Sequence, residues 1–111
     1  MSAYQRNKGA DWERQTVRDC ETMGLIARRF PQCGEKDQEP DVTIDNGTFS
    51  YDCEVKKGKD PPMRPAYEQA KTRCIPGHIP CARVTADGKQ HDVAIIGWAD
   101  FLDLLKNYKT I

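Results

Sequence analysis

Residues 40–56 read PDVTIDNGTFSYDCEVK, and this stretch decides the fold of the chain. Asn46 and Gly47 form the strongest short-range signal for a β-hairpin, and they separate two runs of strand-forming residues, 41–45 and 48–56. The second run alternates, so that Phe49, Tyr51, Cys53 and Val55 face one side of the sheet and Ser50, Asp52, Glu54 and Lys56 face the other. The sequence therefore predicts an antiparallel hairpin with three charged residues on one face.

The register of this hairpin determines which charged residues meet. With a two-residue turn, Asp41 lies opposite Asp52, and Glu54 is the diagonal neighbour of Asp41, with ~7–8 Å between the two backbones. Lys56 follows one pleat further along the same face. Two carboxylates this close repel each other unless a divalent cation binds between them, and a small set of oxygen ligands suits Mg²⁺. An ordinary solvated sheet face is the alternative, because antiparallel sheets often leave one face in water.

The rest of the chain alternates helical and extended patterns. Apolar spacing predicts helices at residues 10–24, 66–75 and 101–108, with Gly24 ending the first of them. Further strands are predicted at 25–30, 79–85 and 92–96, loops at 31–40 and 57–65, and a turn at 86–88. We expect the core to include Trp12, Trp98 and a stripe of the last helix formed by Phe101, Leu102, Leu104, Leu105 and Tyr108. This order predicts an α/β domain with a central mixed β-sheet flanked by helices.

The composition fits a single domain spanning residues 1–111. Seventeen Lys and Arg residues balance seventeen Asp and Glu residues, which excludes a simple polycation that holds nucleic acid by bulk charge. The charge is nevertheless segregated, because residues 35–53 carry six acidic groups and one basic group, whereas residues 54–83 carry seven basic and three acidic groups. An acidic pocket beside basic stretches suits a metal site that handles a polyanion.

The cellular setting follows from what the sequence lacks. Without a long apolar run or the apolar core of a signal peptide, we expect an intracellular protein with no membrane partner. The five cysteines show no CxxC spacing and are expected as free thiols, and Cys74, His78 and Cys81 have no evident fourth ligand that would complete a zinc site. No nearby partner marks His78 or His91 as a catalytic base, so both are expected as loop or strand-edge residues.

The first predicted helix carries a further acidic residue near the sheet. Glu13 shares a helical face with Val17 and Cys20, at the edge of the stripe that meets the sheet, so its carboxylate needs solvent, a partner or a metal. Basic neighbours that suit phosphate contacts accompany it, namely Arg6, Lys8 and Arg14. Ordinary solubilising charge on an amphipathic helix is the alternative for these three.

Three motifs together carry a resemblance to a known family. Residues 6–14 read RNKGADWER, residues 39–41 read EPD and residues 53–56 read CEVK. In this order they resemble the motifs of the PD-(D/E)XK nuclease superfamily, with a restriction-endonuclease-like core. Within the superfamily they are most similar to the archaeal-type Holliday-junction resolvases and their phage-encoded relatives.

The resemblance implies roles for individual residues. Asp41 and Glu54 would bind the metal with the main-chain carbonyl of Val55, Glu13 would support the metal or its water, and Lys56 would assist the attacking water. The implied cofactor is Mg²⁺, with Mn²⁺ as the alternative, and the product would carry a 5′-phosphate. Gln69 matches a Gln that is frequent in related nucleases. Basic residues expected to contact the DNA backbone are Lys57, Lys59, Arg64, Lys71 and Arg73.

The resulting hypothesis is a metal-dependent endodeoxyribonuclease that acts on branched DNA in recombination or repair. A homodimer is expected, because one chain supplies one active site and symmetric cutting of a junction needs two; the last helix is the expected dimer surface. The loop at residues 30–38 lacks the serine found before the acidic motif in such resolvases. A nuclease for nicked, flapped or linear DNA therefore stays open, as does a DNA-binding module without catalysis. A phage source would place the protein in the host cytoplasm.

Overall fold

Five strands and three helices make up the described part of the chain. The computed structural model describes residues 3–30, 39–89 and 91–108, and the side chains of residues 3–8 and 89 lie outside that description. The elements in order are α1 (Ala3–Thr22), β1 (Ile26–Arg29), β2 (Val42–Asp45), β3 (Ser50–Gly58), α2 (Met63–Arg73), β4 (Ile79–Ala86), a short 3₁₀ turn (Asp87–Lys89), β5 (Asp92–Ile96) and α3 (Trp98–Asn107).

The strands form one mixed sheet in the order β1-β2-β3-β4-β5. The β3–β4 pair is parallel and the other three pairs are antiparallel. Parallel neighbours need a crossover, and α2 supplies it between β3 and β4. The predicted α/β domain with a central mixed sheet flanked by helices is confirmed.

Both faces of the central strand β3 are covered by helices. On one face, Trp12 and Val17 of α1 pack against Val42, Cys53 and Val55. On the other, Ala66 of α2 packs against Ala82 and Val84 of β4. Asp52 and Glu54 belong to the α2 face and are 1% and 0% exposed. The alternative of an ordinary solvated sheet face is therefore excluded.

The predicted register of the β2–β3 hairpin is wrong by two residues. Asp52 lies opposite Thr43 and not Asp41, because the turn is a four-residue loop, 46–49, in place of a two-residue turn. The side-chain oxygens of Asp45 and Asn46 accept hydrogen bonds from the loop N–H groups of residues 47–49, which stabilises the longer loop. A shift of two residues keeps every side chain on its predicted face.

The helix bounds differ from prediction at their starts. Helix α1 begins at residue 3 and not at residue 10, because residues 3–9 include good helix formers. It ends as predicted: Gly24 has a φ of +82°, and the Leu25 N–H donates a hydrogen bond to the Cys20 carbonyl. The expected loop 57–65 is shorter, because β3 continues to Gly58 and α2 begins at Met63 after Pro62. Pro65 fits the first helical turn, where N–H groups have no partner within the helix.

Helix α3 is less buried than the sequence predicts. Its range is Trp98–Asn107 in place of 101–108, and Trp98 is 72% exposed, so the prediction that Trp98 anchors the core is wrong. Only part of the predicted inward stripe is shielded, because three of its members are exposed: Leu102, Leu105 and Tyr108. The helix therefore presents an apolar surface to solvent.

Candidate active site

Asp41 and Glu54 form a buried carboxylate pair at the start of β2 and the middle of β3. Asp41 is 5% exposed, and its Oδ2 accepts a hydrogen bond of 3.0 Å from the backbone N–H of Val55. Burial raises the pKa of Glu54 to about 8, and the neighbouring Asp41 contributes to this raised pKa through its charge and a side-chain hydrogen bond. Glu54 therefore holds its proton more strongly than an exposed glutamate does, unless a cation takes the place of that proton.

The oxygen atoms of Glu54 have different surroundings. Oε2 lies 3.3 Å from Nη1 of Arg73, whereas Oε1 is buried and has no hydrogen-bond partner among the described residues. A buried acceptor without a donor is costly, and a divalent cation is a natural partner for it. The described residues contain no group of three His, Cys, Asp or Glu side chains placed to hold a metal. Two carboxylates can nevertheless hold a divalent cation such as Mg²⁺, which keeps several waters and needs only one or two carboxylates.

Lys56 follows Glu54 on the same face of β3 and is half-buried. It lines a cavity of about 650 Å³ between the end of β3 and the start of α2. The other lining residues are Lys57, Gly58, Lys59, Asp60, Pro61, Pro62, Pro65, Ala66 and Gln69. The cavity thus combines lysines with apolar proline surface, and Lys56 connects it to the strand that carries Glu54.

Glu13 reaches this region from α1 and is only 8% exposed. Its Oε1 accepts a hydrogen bond of 2.8 Å from Nε of Arg29 in β1. Burial and the charge of Asp41 raise the pKa of Glu13, while Arg29 and Lys56 lower it. The partner of Glu13 is therefore an arginine that sequence reasoning did not single out, because nothing in the sequence links a basic residue in a short strand to a carboxylate 16 residues earlier.

Asp52 is a second buried carboxylate whose role the sequence did not reveal. It accepts hydrogen bonds from Oγ1 of Thr43 at 2.8 Å and from the backbone N–H of Ile75 at 2.7 Å. Its Oδ1 also lies 2.8 Å from Nδ1 of His78. His78 lies in the loop before β4, as predicted, but it has an acidic neighbour that the sequence did not indicate. The available signal was the position of Asp52 two residues before Glu54, on the same face.

The predicted DNA contacts divide into three groups. Those at the cavity are Lys57, Lys59 and Gln69, although Nζ of Lys57 also lies 4.2 Å from the centre of the Trp12 ring. Exposed residues on helices are Arg14, Arg64 and Lys71, of which Arg14 pairs with Asp11 and Lys71 with Glu68. Arg73 instead points to the carboxylate pair. The side chains of Arg6 and Lys8 lie outside the described residues.

The described cysteines are free thiols, as predicted: Cys20, Cys53, Cys74 and Cys81. Cys33 lies outside the described residues. Within the described part of the chain, no helix has the length and apolar character needed to cross a membrane.

Comparisons with known proteins find similarity among solved structures. No model of a protein family matches the chain, and no curated protein sequence matches it. Among solved structures, it is similar to Hjc, a Holliday junction resolvase from the archaeal hyperthermophile Archaeoglobus fulgidus, with a TM-score of 0.62 and 20% sequence identity. The match covers 78% of this chain and 73% of that chain. The five-stranded mixed sheet with its flanking helices is therefore the fold of an archaeal Holliday junction resolvase.

Proposed function

We propose that this protein is a metal-dependent endodeoxyribonuclease that hydrolyses phosphodiester bonds in branched DNA and leaves a 5′-phosphate. The observation that carries the proposal is the buried Asp41–Glu54 pair with Lys56 on the same face of β3, since burying two carboxylates together is costly and such groups with raised pKa values are typical of functional sites. The fold it shares with a solved Holliday junction resolvase supports branched DNA as the substrate.

The residues that would hold Mg²⁺, or Mn²⁺ as the alternative, are Asp41, Glu54 and the carbonyl of Val55. In a strand the N–H and C=O of one residue point to the same side, so the Val55 carbonyl faces the edge where its N–H meets Asp41. When bound, the ion would polarise a phosphoryl oxygen and lower the pKa of a water. Glu13, held by Arg29, adds a third carboxylate close to Asp41 without belonging to the pair.

Lys56 has two tasks in this proposal. Its ammonium group orients the attacking water through a hydrogen bond, and it stabilises the negative charge that develops on the phosphate. The half-buried side chain is shielded enough to make this interaction stronger than in bulk water. The cavity beside it, with Lys59 and Gln69, receives the phosphate backbone on one side of the cut.

A homodimer is part of the proposal, because one chain carries one carboxylate pair and symmetric cutting of a junction needs two. The exposed apolar residues of α3 offer a surface for a second copy, and they include Trp98, Leu102 and Leu105. An intracellular location and a phage source stay predictions.

The test is cleavage of an end-labelled four-way junction and of matched linear duplex, with Mg²⁺ or with EDTA. Paired symmetric nicks in the junction alone are expected, and DNA ligase should reseal them, because it requires a 5′-phosphate. Lys56→Gln and Asp41→Asn should reduce cleavage ~100-fold or more. Arg18→Gln is the matched control, since Arg18 is exposed on α1 and contacts Gln15.

Other outcomes separate the alternatives. Equal cutting of linear duplex would keep the metal-dependent nuclease and remove the junction preference. Binding without cleavage under any metal would replace the enzyme with a DNA-binding module.

A further inference from the structure

Arg73 differs from the other basic residues of α2 in what it contacts. It is the last residue of the helix, its side chain is 18% exposed, and its Nη1 lies 3.3 Å from Oε2 of Glu54 and 4.0 Å from Oδ1 of Asp41. Lys71, two residues earlier, is 48% exposed and pairs with Glu68 on the surface of the same helix. Arg73 therefore places its positive charge on the two carboxylates proposed to hold the divalent cation.

Two hydrogen bonds of the residues that follow Arg73 hold the end of α2 in place. The N–H of Cys74 bonds to the Lys71 carbonyl and closes the helix, and the N–H of Ile75 donates a hydrogen bond of 2.7 Å to Oδ2 of Asp52. Asp52 is itself held in the sheet by its hydrogen bond from Thr43. The end of α2 is thus tied to the strand that carries Glu54, which holds the backbone of Arg73 close enough for its guanidinium to reach the pair.

A guanidinium and a divalent cation compete for the same carboxylates. Each neutralises the pair, and each repels the other, since a unit charge ~4 Å from a divalent ion is unfavourable even in water. Arg73 reaches only one oxygen of Glu54, and Oε1 has no hydrogen-bond partner among the described residues. The guanidinium therefore offsets the pair incompletely and leaves room for a stronger cation.

We propose that Arg73 is the internal counter-ion of the Asp41–Glu54 pair in the metal-free protein, and that it transfers to a phosphate of the DNA when a divalent cation binds the carboxylates. The inference rests on the proposed nuclease function and adds a coupling to it. A cation that releases Arg73 strengthens DNA binding, and by linkage DNA strengthens cation binding by the same factor.

The test measures cation binding without DNA and without cleavage. Ca²⁺ binding is followed by calorimetry at pH 9, where protons compete least for the carboxylates, on the full chain and on Arg73→Gln. Arg73→Gln should bind Ca²⁺ roughly 10-fold more tightly, because the competing charge is gone. Lys71→Gln removes the same charge from the same helix but not from the pair, so its affinity should stay within about two-fold. Equal or weaker binding by Arg73→Gln would overturn the inference, as would the absence of Ca²⁺ binding in all three proteins.

Two further readouts complete the experiment. In EDTA, Arg73→Gln should unfold at a lower temperature than wild type, and Ca²⁺ should raise its unfolding temperature by more than it raises that of wild type. If Arg73→Gln does not fold in EDTA, Arg73→Lys takes its place, because it keeps the charge and should bind Ca²⁺ with an affinity within a few-fold of wild type. An increase in the Ca²⁺ affinity of Arg73→Lys as large as that expected for Arg73→Gln would contradict a counter-ion role.

The coupling to DNA is measured by the affinity for a four-way junction with Ca²⁺ or EDTA. The gain in affinity on adding Ca²⁺ should shrink in Arg73→Gln and persist in Arg18→Gln, because Arg18 is exposed on α1 and is not among the expected DNA contacts. An unchanged gain would overturn the transfer of Arg73 to phosphate. These results do not depend on the cleavage assay. If the wild-type protein cleaves junctions but Arg73→Gln shows the same Ca²⁺-dependent gain in junction affinity as wild type, the inference is rejected and the proposed nuclease function is kept.

Discussion

The backbone N–H of Val55 donates a hydrogen bond of 3.0 Å to Oδ2 of Asp41, and this contact joins two separate sequence motifs. Asp41 follows Pro40 immediately before β2, while Val55 lies between Glu54 and Lys56 in β3. Oδ2 of Asp41 therefore helps to hold the two strands together. The other oxygen of Asp41, Oδ1, lies 4.0 Å from Nη1 of Arg73, which also contacts Glu54.

Asp41→Asn is expected to separate folding from catalysis. The asparagine carbonyl can still accept the Val55 N–H, and loss of the charge removes repulsion with Glu54, so the free energy of unfolding should change by no more than about 1 kcal/mol. Cleavage should fall ~100-fold or more, because one of the two proposed metal ligands loses its charge. Urea unfolding and junction cleavage measure the two effects, with exposed Glu21→Gln as the control. Wild-type cleavage by Asp41→Asn would contradict the site.

The sequence predicted which side chains of β3 share a face better than it predicted the register of the hairpin. Strand alternation placed Asp52, Glu54 and Lys56 on one face, and a two-residue error in the turn left that face unchanged because the period of a strand is two. The loop length depended on hydrogen bonds from the side chains of Asp45 and Asn46, which the Asn-Gly signal alone does not reveal.

Contacts between distant elements could not be predicted in the same way. Arg29 with Glu13, and Arg73 with Glu54, meet only after the sheet order is set, and one sequence holds no direct signal for such pairs. The prediction that the whole apolar stripe of α3 faces the core was also wrong, since apolar spacing marks the amphipathic face of a helix but not what covers it.

Arg29→Gln should destabilise the protein by roughly 1–3 kcal/mol, since it leaves the buried carboxylate of Glu13 without its charged partner. Arg28→Gln is the matched control in the adjacent position, because the Arg28 guanidinium stacks over the Phe30 ring and does not take part in the Glu13 pair; its effect should stay below ~0.5 kcal/mol. Urea unfolding of both variants at pH 8 tests the difference. Equal effects of the two substitutions would mean that the Glu13–Arg29 pair contributes nothing to folding.

Asp52→Asn should destabilise the protein by roughly 1–3 kcal/mol, because an amide cannot accept all the hydrogen bonds that converge on this carboxylate. Thr43→Val removes one donor and leaves the other two, so it should cost less. Denaturant unfolding of both variants gives the order of the effects. A larger loss from Thr43→Val than from Asp52→Asn would show that the carboxylate is not the centre of this cluster.

Leu102→Asp is expected to convert a dimer into a monomer, because it places a charge in the apolar surface of α3, where Leu102 is 45% exposed. Sedimentation velocity should give twice the chain mass of 12.6 kDa for wild type and a single chain for the variant. Lys106→Gln on the same helix is the control and should leave the mass unchanged. A monomeric wild type at micromolar concentration would contradict the dimer.

Glu54→Gln should remove a specific pH dependence of stability. The pKa of Glu54 is raised from 4.5 to about 8 by burial, so its contribution is fully present below about pH 4.5 and is lost as the pH rises through about 8. In EDTA the free energy of unfolding of wild type should therefore fall by on the order of 2–4 kcal/mol between pH 5 and pH 8.5. The substituted amide does not titrate, so the decline should be reduced by this amount in the variant.

Mg²⁺ should oppose the same decline in wild type, because the ion favours ionised Glu54 and its affinity rises as the proton leaves. Unfolding curves at pH 6 and pH 8.5, each with EDTA and with 10 mM Mg²⁺ (about the level needed to saturate a weak carboxylate site), measure this effect. Stabilisation by Mg²⁺ should be larger at pH 8.5 than at pH 6 and should be lost in Glu54→Gln. Equal stabilisation at both pH values would show that Glu54 does not bind the ion.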